Sequence, residues 1–208
     1  MPDLTENQSE KAALRAEALA LRDALPATQR AAAAETIAAR LFPVTIAAGV
    51  IVSGFSPMKT EINPVPLMRK LADLGAQLAL PAIAGRGKPL IMRAWKFGDP
   101  FKAGQWGIRE PVPEAREVAP EILLVPLACF DRAGHRIGYG AGYYDMTINA
   151  LRAKKPVIAI GLAFAAQEIP RVPATGRDQR LDLVLTEREV IDFRQGKTEA
   201  CGFSSSAT

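Results

Sequence analysis

Apolar positions recur with a helical period near the start of the chain. Leu14, Ala18, Leu21 and Leu25 stand four, three and four residues apart, so they line one helix face. Ser9 is placed to cap this helix and Pro26 to end it. The alanine-rich segment 28–41 predicts a second helix, stopped before Pro43. The pattern then changes. Residues 47–55 form a short apolar run with β-branched Val50, Ile51 and Val52, which reads as a buried strand. Asn63-Pro64 suits a helix cap followed by proline at the first helical position. Leu67, Leu71 and Leu74 then share a face, and Gly75 is positioned to stop the helix. Further strands are predicted at 76–80, 90–95 (an edge), 121–127, 156–162 and 183–185, with a helix at 143–152. This alternation predicts an α/β fold. It is expected to be a single domain over residues 1–196, with a mostly parallel sheet flanked by helices on both faces. Residues 197–208, which include Ser204, Ser205 and Ser206, read as a disordered tail.

Composition narrows the classes. The 208 residues fit one domain. With 49% hydrophobic and 23% charged residues, the chain is neither wholly disordered nor fibrous. No apolar run approaches the roughly 18 residues a membrane helix needs. Asp3, Glu6 and Glu10 argue against a signal peptide. Cys129 and Cys201 are too few for a disulfide framework and wrongly spaced for zinc, which suits a reducing cytoplasm. The net charge of +4 is mild, and the basic residues are scattered rather than clustered with aromatics. That pattern speaks against a nucleic-acid partner and leaves room for a small anionic ligand.

The chemistry concentrates in residues 122–145, ILLVPLACFDRAGHRIGYGAGYYD. A buried strand leads into a turn holding Gly134, Gly138, Gly140 and Gly142, and then into a helix. Glycines let backbone amides approach an oxyanion, and the following helix aims its N-terminal amides at the same point. Arg136 is a cation able to fork onto phosphate oxygens, and Asp145 is a carboxylate able to hold Mg²⁺ against them. The spacing G-x-G-x-G matches neither the dinucleotide nor the Walker pattern, and a ligand-free tight turn explains it equally well. His135, the one histidine, has no local partner in sequence and reads as exposed. Trp95, Phe97 and Trp106 are core candidates that could also line a pocket.

The string VPLACFDRAGHRIGYGAGYYD resembles the signature of the 5-formyltetrahydrofolate cyclo-ligase (5,10-methenyltetrahydrofolate synthetase) family. So do Lys11 and Arg15, the segment Phe55-Ser56-Pro57-Met58-Lys59-Thr60-Glu61-Ile62, the segment Gly107-Ile108-Arg109-Glu110-Pro111, and Asp178 with Asp182 before Leu185-Thr186. Two departures stand out. Many members carry Arg and Lys where this chain has Tyr139 and Ala141, and Cys129 is inserted between Ala128 and Phe130.

The resemblance implies ATP-dependent conversion of 5-formyltetrahydrofolate to 5,10-methenyltetrahydrofolate through a phosphorylated formyl intermediate. It implies ATP as co-substrate, Mg²⁺, and a monomeric cytoplasmic enzyme. Arg136 and Tyr143 would be catalytic. Lys11, Arg15, Arg136, Ile137, Gly138, Tyr139, Gly140, Ala141, Gly142, Tyr143 and Tyr144 would bind the nucleotide. Ser56, Glu61 and residues 139–143 would bind folate, and Asp145 and Asp178 would bind the metal.

Each role has a plainer competitor. Lys11 and Arg15 could be a solvated basic face, Asp145 and Asp178 capping or solvated acids, and Glu61 an acid at a helix N-terminus. Two other functions compete: a sugar-phosphate isomerase or deaminase-like enzyme sharing only the glycine turn, and a binding protein without turnover.

Overall fold

The computed structural model of the protein describes residues 4–194. The tail 197–208, Cys201 and the Trp106 side chain lie outside the described residues. In chain order the elements begin with α1 (Leu4–Asp23), α2 (Ala27–Ala39), β1 (Ile51–Ser53), α3 (Val65–Asp73), β2 (Gln77–Ala82) and β3 (Ile91–Ala94). Then come β4 (Phe101–Ala103), β5 (Arg109–Pro111), β6 (Ile122–Pro126), β7 (Cys129–Phe130) and β8 (Arg136–Ile137). The chain continues with α4 (Tyr143–Arg152), β9 (Ile158–Leu162), β10 (Leu183–Leu185) and β11 (Val190–Asp192).

Seven strands form the central sheet in the order β11-β10-β9-β6-β1-β2-β3. Its five inner strands are parallel, and both edges, β3 and β11, pair antiparallel. The most apolar strand, β6, lies at the centre. Alternation along it divides the core: Ile122 and Leu124 pack with α2 and α3 on one face, while Leu123 and Val125 pack with Ile148 of α4 on the other. The sheet therefore has helices on both faces, as the alternation of elements predicts. Each of these fully buried aliphatic side chains contributes roughly 1.5–3 kcal/mol.

Several local expectations change. Ser9 is not a cap: α1 starts by Leu4, so Ser9 lies within it. Leu21 is 54% exposed while its neighbour Arg22 is 2% exposed, so the buried face of α1 includes a cation. The strand expected over 47–55 is only Ile51–Ser53. Helix α3 starts just after Pro64, and Asn63 Oδ1 still accepts the Val65 N–H at 3.1 Å. Gly75 ends this helix as expected: its N–H goes to Ala72 O, and the Ala76 N–H reaches back to Leu71 O at 3.0 Å. Strand β11 follows the segment read as the last strand.

The arrangement has one positional consequence. Strand order reverses at β1 and β6, which are parallel neighbours whose chains then leave in opposite directions. A crevice opens beyond the carboxyl ends of strands at such a switch point. The segment after β1 carries Ser56 and Glu61, and the segment after β6 carries the glycine loop.

Candidate active site

Beyond β6 the chain does not make one glycine-rich turn. It first folds into a hairpin, β7 against β8, pairing Cys129 with Ile137 and Phe130 with Arg136. The pairing satisfies backbone groups that burial would otherwise leave unpaired. Asp131 holds the hairpin by accepting the N–H groups of Ala133 (2.9 Å), His135 (3.0 Å) and Val172 (2.9 Å). Gly134 belongs to this hairpin turn. His135 does have a local partner, since its Nδ1 lies 3.6 Å from Asp131 Oδ2. Burial pushes the Cys129 thiol up to about 11, so it is a packed, unreactive group. Ile137 is buried and closes the hairpin with its carbonyl on the Ala128 N–H.

Residues 138–142 then lead into α4. No side chain caps this helix, whose N-cap is Gly142 at φ 69°. That backbone conformation favours glycine, and it leaves the first-turn amides of α4 uncapped by any side chain. Gly140, at φ 98°, lies under Arg15: a Cβ there would stand 3.7 Å from Arg15 Nη2. Ala141 is exposed, and Tyr143 and Tyr144 are half-buried. The Tyr144 ring packs against the α4-side core, and its hydroxyl is pushed far above its ordinary value by burial.

Helix α1 lies across this loop. Lys11, Arg15, Ala18 and Arg22 recur on one face, and the small Ala18, 2% exposed, permits close approach. Arg15 Nε donates to Gly138 O at 2.6 Å, and Lys11 Nζ pairs with Asp178 Oδ2 at 2.6 Å. Neither cation is on a merely solvated face. Asp178 also accepts from Thr175 N (2.6 Å) and Thr175 Oγ1 (2.9 Å). Burial raises its carboxyl, but the Lys11 and Thr175 hydrogen bonds together outweigh this, and its pKa is lowered.

Arg136 sits in β8 rather than in the glycine turn, and its guanidinium is committed within the protein. It donates to Gln179 O (2.6 Å) and to Asp145 Oδ1 (3.0 Å), which also accepts the Gln179 N–H at 2.9 Å. Where a direct fork onto phosphate was expected, the Arg136 guanidinium forms an ion pair that fixes Asp145 at the start of α4. The Asp145 side chain stays 29% exposed. Among the described residues no three His, Cys, Asp or Glu side chains gather to hold a cation. Asp145 accepts the N–H of Gln179, the residue after Asp178, and two carboxylates supply fewer oxygens than an all-protein magnesium cage needs.

On the β1 side, Glu61 is buried three residues before the α3 N-cap, so it is not a first-turn helix acid. Its Oε2 accepts the Met58 N–H at 2.7 Å, and its buried Oε1 has no hydrogen-bond partner among the described residues. Burial raises its pKa above the ordinary 4.5, against the opposing influence of the Tyr139 hydroxyl, the Met58 amide and Arg22. Ser56 donates to Arg109 O at 2.7 Å. Trp95 packs in the α3-side core, edge-on to Phe97 at 4.8 Å, with its Nε1 buried and unpartnered among the described residues.

The sequence model of the 5-formyltetrahydrofolate cyclo-ligase family matches residues 7–187, nearly the whole described chain. The chain belongs to the 5-formyltetrahydrofolate cyclo-ligase family. It is 31% identical over 189 residues to the 5-formyltetrahydrofolate cyclo-ligase of Mycolicibacterium smegmatis, covering 87% of this chain and 95% of that protein. The solution structure of Aquifex aeolicus 5,10-methenyltetrahydrofolate synthetase is similar, with a TM-score of 0.77 at 25% identity over 94% of this chain and 99% of that one. A Mycoplasma pneumoniae 5,10-methenyltetrahydrofolate synthetase shares the fold, with a TM-score of 0.66 at 22% identity over 85% and 98% of the two chains.

The sequence reading missed Arg22, which reaches both Thr60 and Tyr139. The signal was the recurrence of basic residues on the face of α1 that carries Lys11 and Arg15.

Proposed function

We propose that the chain converts 5-formyltetrahydrofolate and ATP into 5,10-methenyltetrahydrofolate, ADP and phosphate. The formyl oxygen attacks the γ-phosphorus and ADP leaves, giving an imidate phosphate. N10 then attacks the activated carbon, and loss of phosphate closes the ring. Such a reaction needs positioning and charge neutralisation rather than a nucleophilic side chain.

The observation that carries this reading is the pairing of two unlike half-sites at the switch point. One is an uncapped helix N-terminus with a glycine loop under Arg15, suited to a triphosphate. The other is a buried carboxylate oxygen without a partner, suited to the N–H edge of a pterin. Gly138, Gly140, Ala141 and Gly142 offer backbone amides to the nucleotide, with Ile137, Tyr143 and Tyr144 framing the loop. Lys11, which pairs with Asp178, serves phosphate. Asp145 and Asp178 would hold the magnesium, which neutralises phosphate charge. Arg136 acts by keeping Asp145 in place, and Tyr143 flanks the reacting groups. Ser56, Glu61 and Tyr139 face the folate. We assign the enzyme to the cytoplasm as a monomer, a setting that suits the unpaired, buried Cys129.

The test mixes protein, 5-formyltetrahydrofolate and MgATP, and follows methenyl-folate absorbance together with ADP. Equal appearance of both is expected. Folate binding without ADP would make the chain a binding protein, and absence of both would remove the folate assignment.

A further inference from the structure

We propose that Arg22 is a positioning residue of the folate half-site, holding the Tyr139 side chain beside the buried Glu61 carboxylate from its place on α1. This rests on the cyclo-ligase reading above.

An arginine is almost never fully buried without partners, and Arg22 is 2% exposed. Its partners lie in both segments that diverge at the switch point. Arg22 Nε donates to Thr60 Oγ1 at 3.0 Å, next to Glu61, and Arg22 Nη1 donates to the Tyr139 hydroxyl in the glycine loop. The guanidinium also lies 5.8 Å from the Tyr139 ring centroid. Its closest ion-pair partner among the described residues is Asp23, at 3.9 Å and 55% exposed, too distant and wet to account for burying the charge. Thr60 in turn donates to Asp23, which fixes the Thr60 hydroxyl as an acceptor for Arg22.

The chemistry follows from donor and acceptor roles. The Tyr139 hydroxyl accepts from Arg22, so its own proton is left to give, and the Glu61 carboxylate stands beside it. Arg22 also favours the charged form of that carboxylate. Glu61 Oε1 remains as the buried acceptor for a ligand N–H. Arg22 thereby supplies from a helix the cation that the loop itself lacks at Tyr139 and Ala141. It touches no reacting atom; it holds two groups that meet the folate. Lysine cannot replace it, because one ammonium cannot present the fork that spans Thr60 and Tyr139.

The test compares Arg22→Lys, Tyr139→Phe and the double variant with wild type in steady-state kinetics, with thermal unfolding as a control for folding. Each single change should raise the KM for 5-formyltetrahydrofolate roughly 10-fold. The KM for MgATP should stay within about twofold, and kcat should change less than the folate KM. The double variant should be no worse than the poorer single variant, as expected of coupled groups. Tyr139 is 38% exposed, so Tyr139→Phe keeps the proposal testable even if Arg22→Lys fails to fold. An unchanged folate KM in Tyr139→Phe or Arg22→Lys would overturn the proposal while leaving the function standing. Equal rises in both KM values, or additive single effects, would also overturn it. A wild-type protein that forms no methenyl product would remove the functional reading and this proposal together.

Discussion

At the residue scale, the proposed folate role makes Glu61 a buried acid that trades stability for recognition. Burial raises its pKa, so in the ligand-free chain the charged carboxylate destabilises the fold at neutral pH. The sign follows from proton binding. Between its ordinary 4.5 and its raised folded value, the native state binds more protons than the unfolded state. The Glu61 penalty therefore fades as pH falls through the folded value towards 4.5. Folate affinity runs the other way, because a protonated carboxyl loses an acceptor for the pterin N–H groups. Glu61→Gln should weaken folate binding about 10–100-fold at neutral pH. It should also flatten the dependence of folate KM on pH in this acidic window, leaving the MgATP KM unmoved. Kinetics from pH 4.5 upward check this, and a variant whose folate KM keeps the wild-type pH profile would contradict it. Glu61 was singled out from sequence by family likeness, whereas its buried, half-satisfied state depends on packing no local pattern encodes. The recurrence with Lys11 and Arg15 marked the position of Arg22, but its burial was illegible for the same reason. Its partners Thr60 and Tyr139 lie 38 and 117 positions away, and nothing local marks an arginine as buried.

At the scale of elements, α4 is where sequence and structure agree most closely. Its span, Tyr143–Arg152, is the predicted one, because a run of glycines ends abruptly at a periodic helical segment. On the proposed function, the uncapped N-terminus is also the nucleotide's main docking element. Gly142→Ala would force a Cβ into the left-handed conformation at φ 69°. It should cost about 1–2 kcal/mol of stability, read by denaturant unfolding, and weaken MgATP more than folate. Equal weakening of both substrates would indicate a collapsed loop instead. The hairpin β7–β8 was not legible. Strands of two residues carry no period, and the glycines of its turn merge in sequence with those of the loop. The short strands β4, β5 and β11 escaped detection because they lack the continuous apolar run that marks the equally short β10. The central strand β6 was plain, since four consecutive fully or almost fully buried aliphatics leave no other reading.

At the scale of the molecule, the parallel order that places β1 beside β6 gathers distant segments beyond the carboxyl ends of these two strands. Residues 55–62 and 138–142 meet there, and α1 crosses both through Arg15 and Arg22. The fold class was readable from alternating elements, but the strand order was not, because pairing between β1 and β6 is a tertiary choice across some 70 residues. That order is what brings the glycine loop and the buried Glu61 carboxylate, the two halves of the proposed site, to the same end of the sheet. The central claim is that the glycine loop, the start of α4 and the α1 cations grip a triphosphate. Titration calorimetry of MgATP and AMP into the folded wild-type protein tests it most directly. A saturable MgATP signal with AMP binding far more weakly is the predicted result. No heat with MgATP, or AMP binding as tightly as MgATP, would contradict the account.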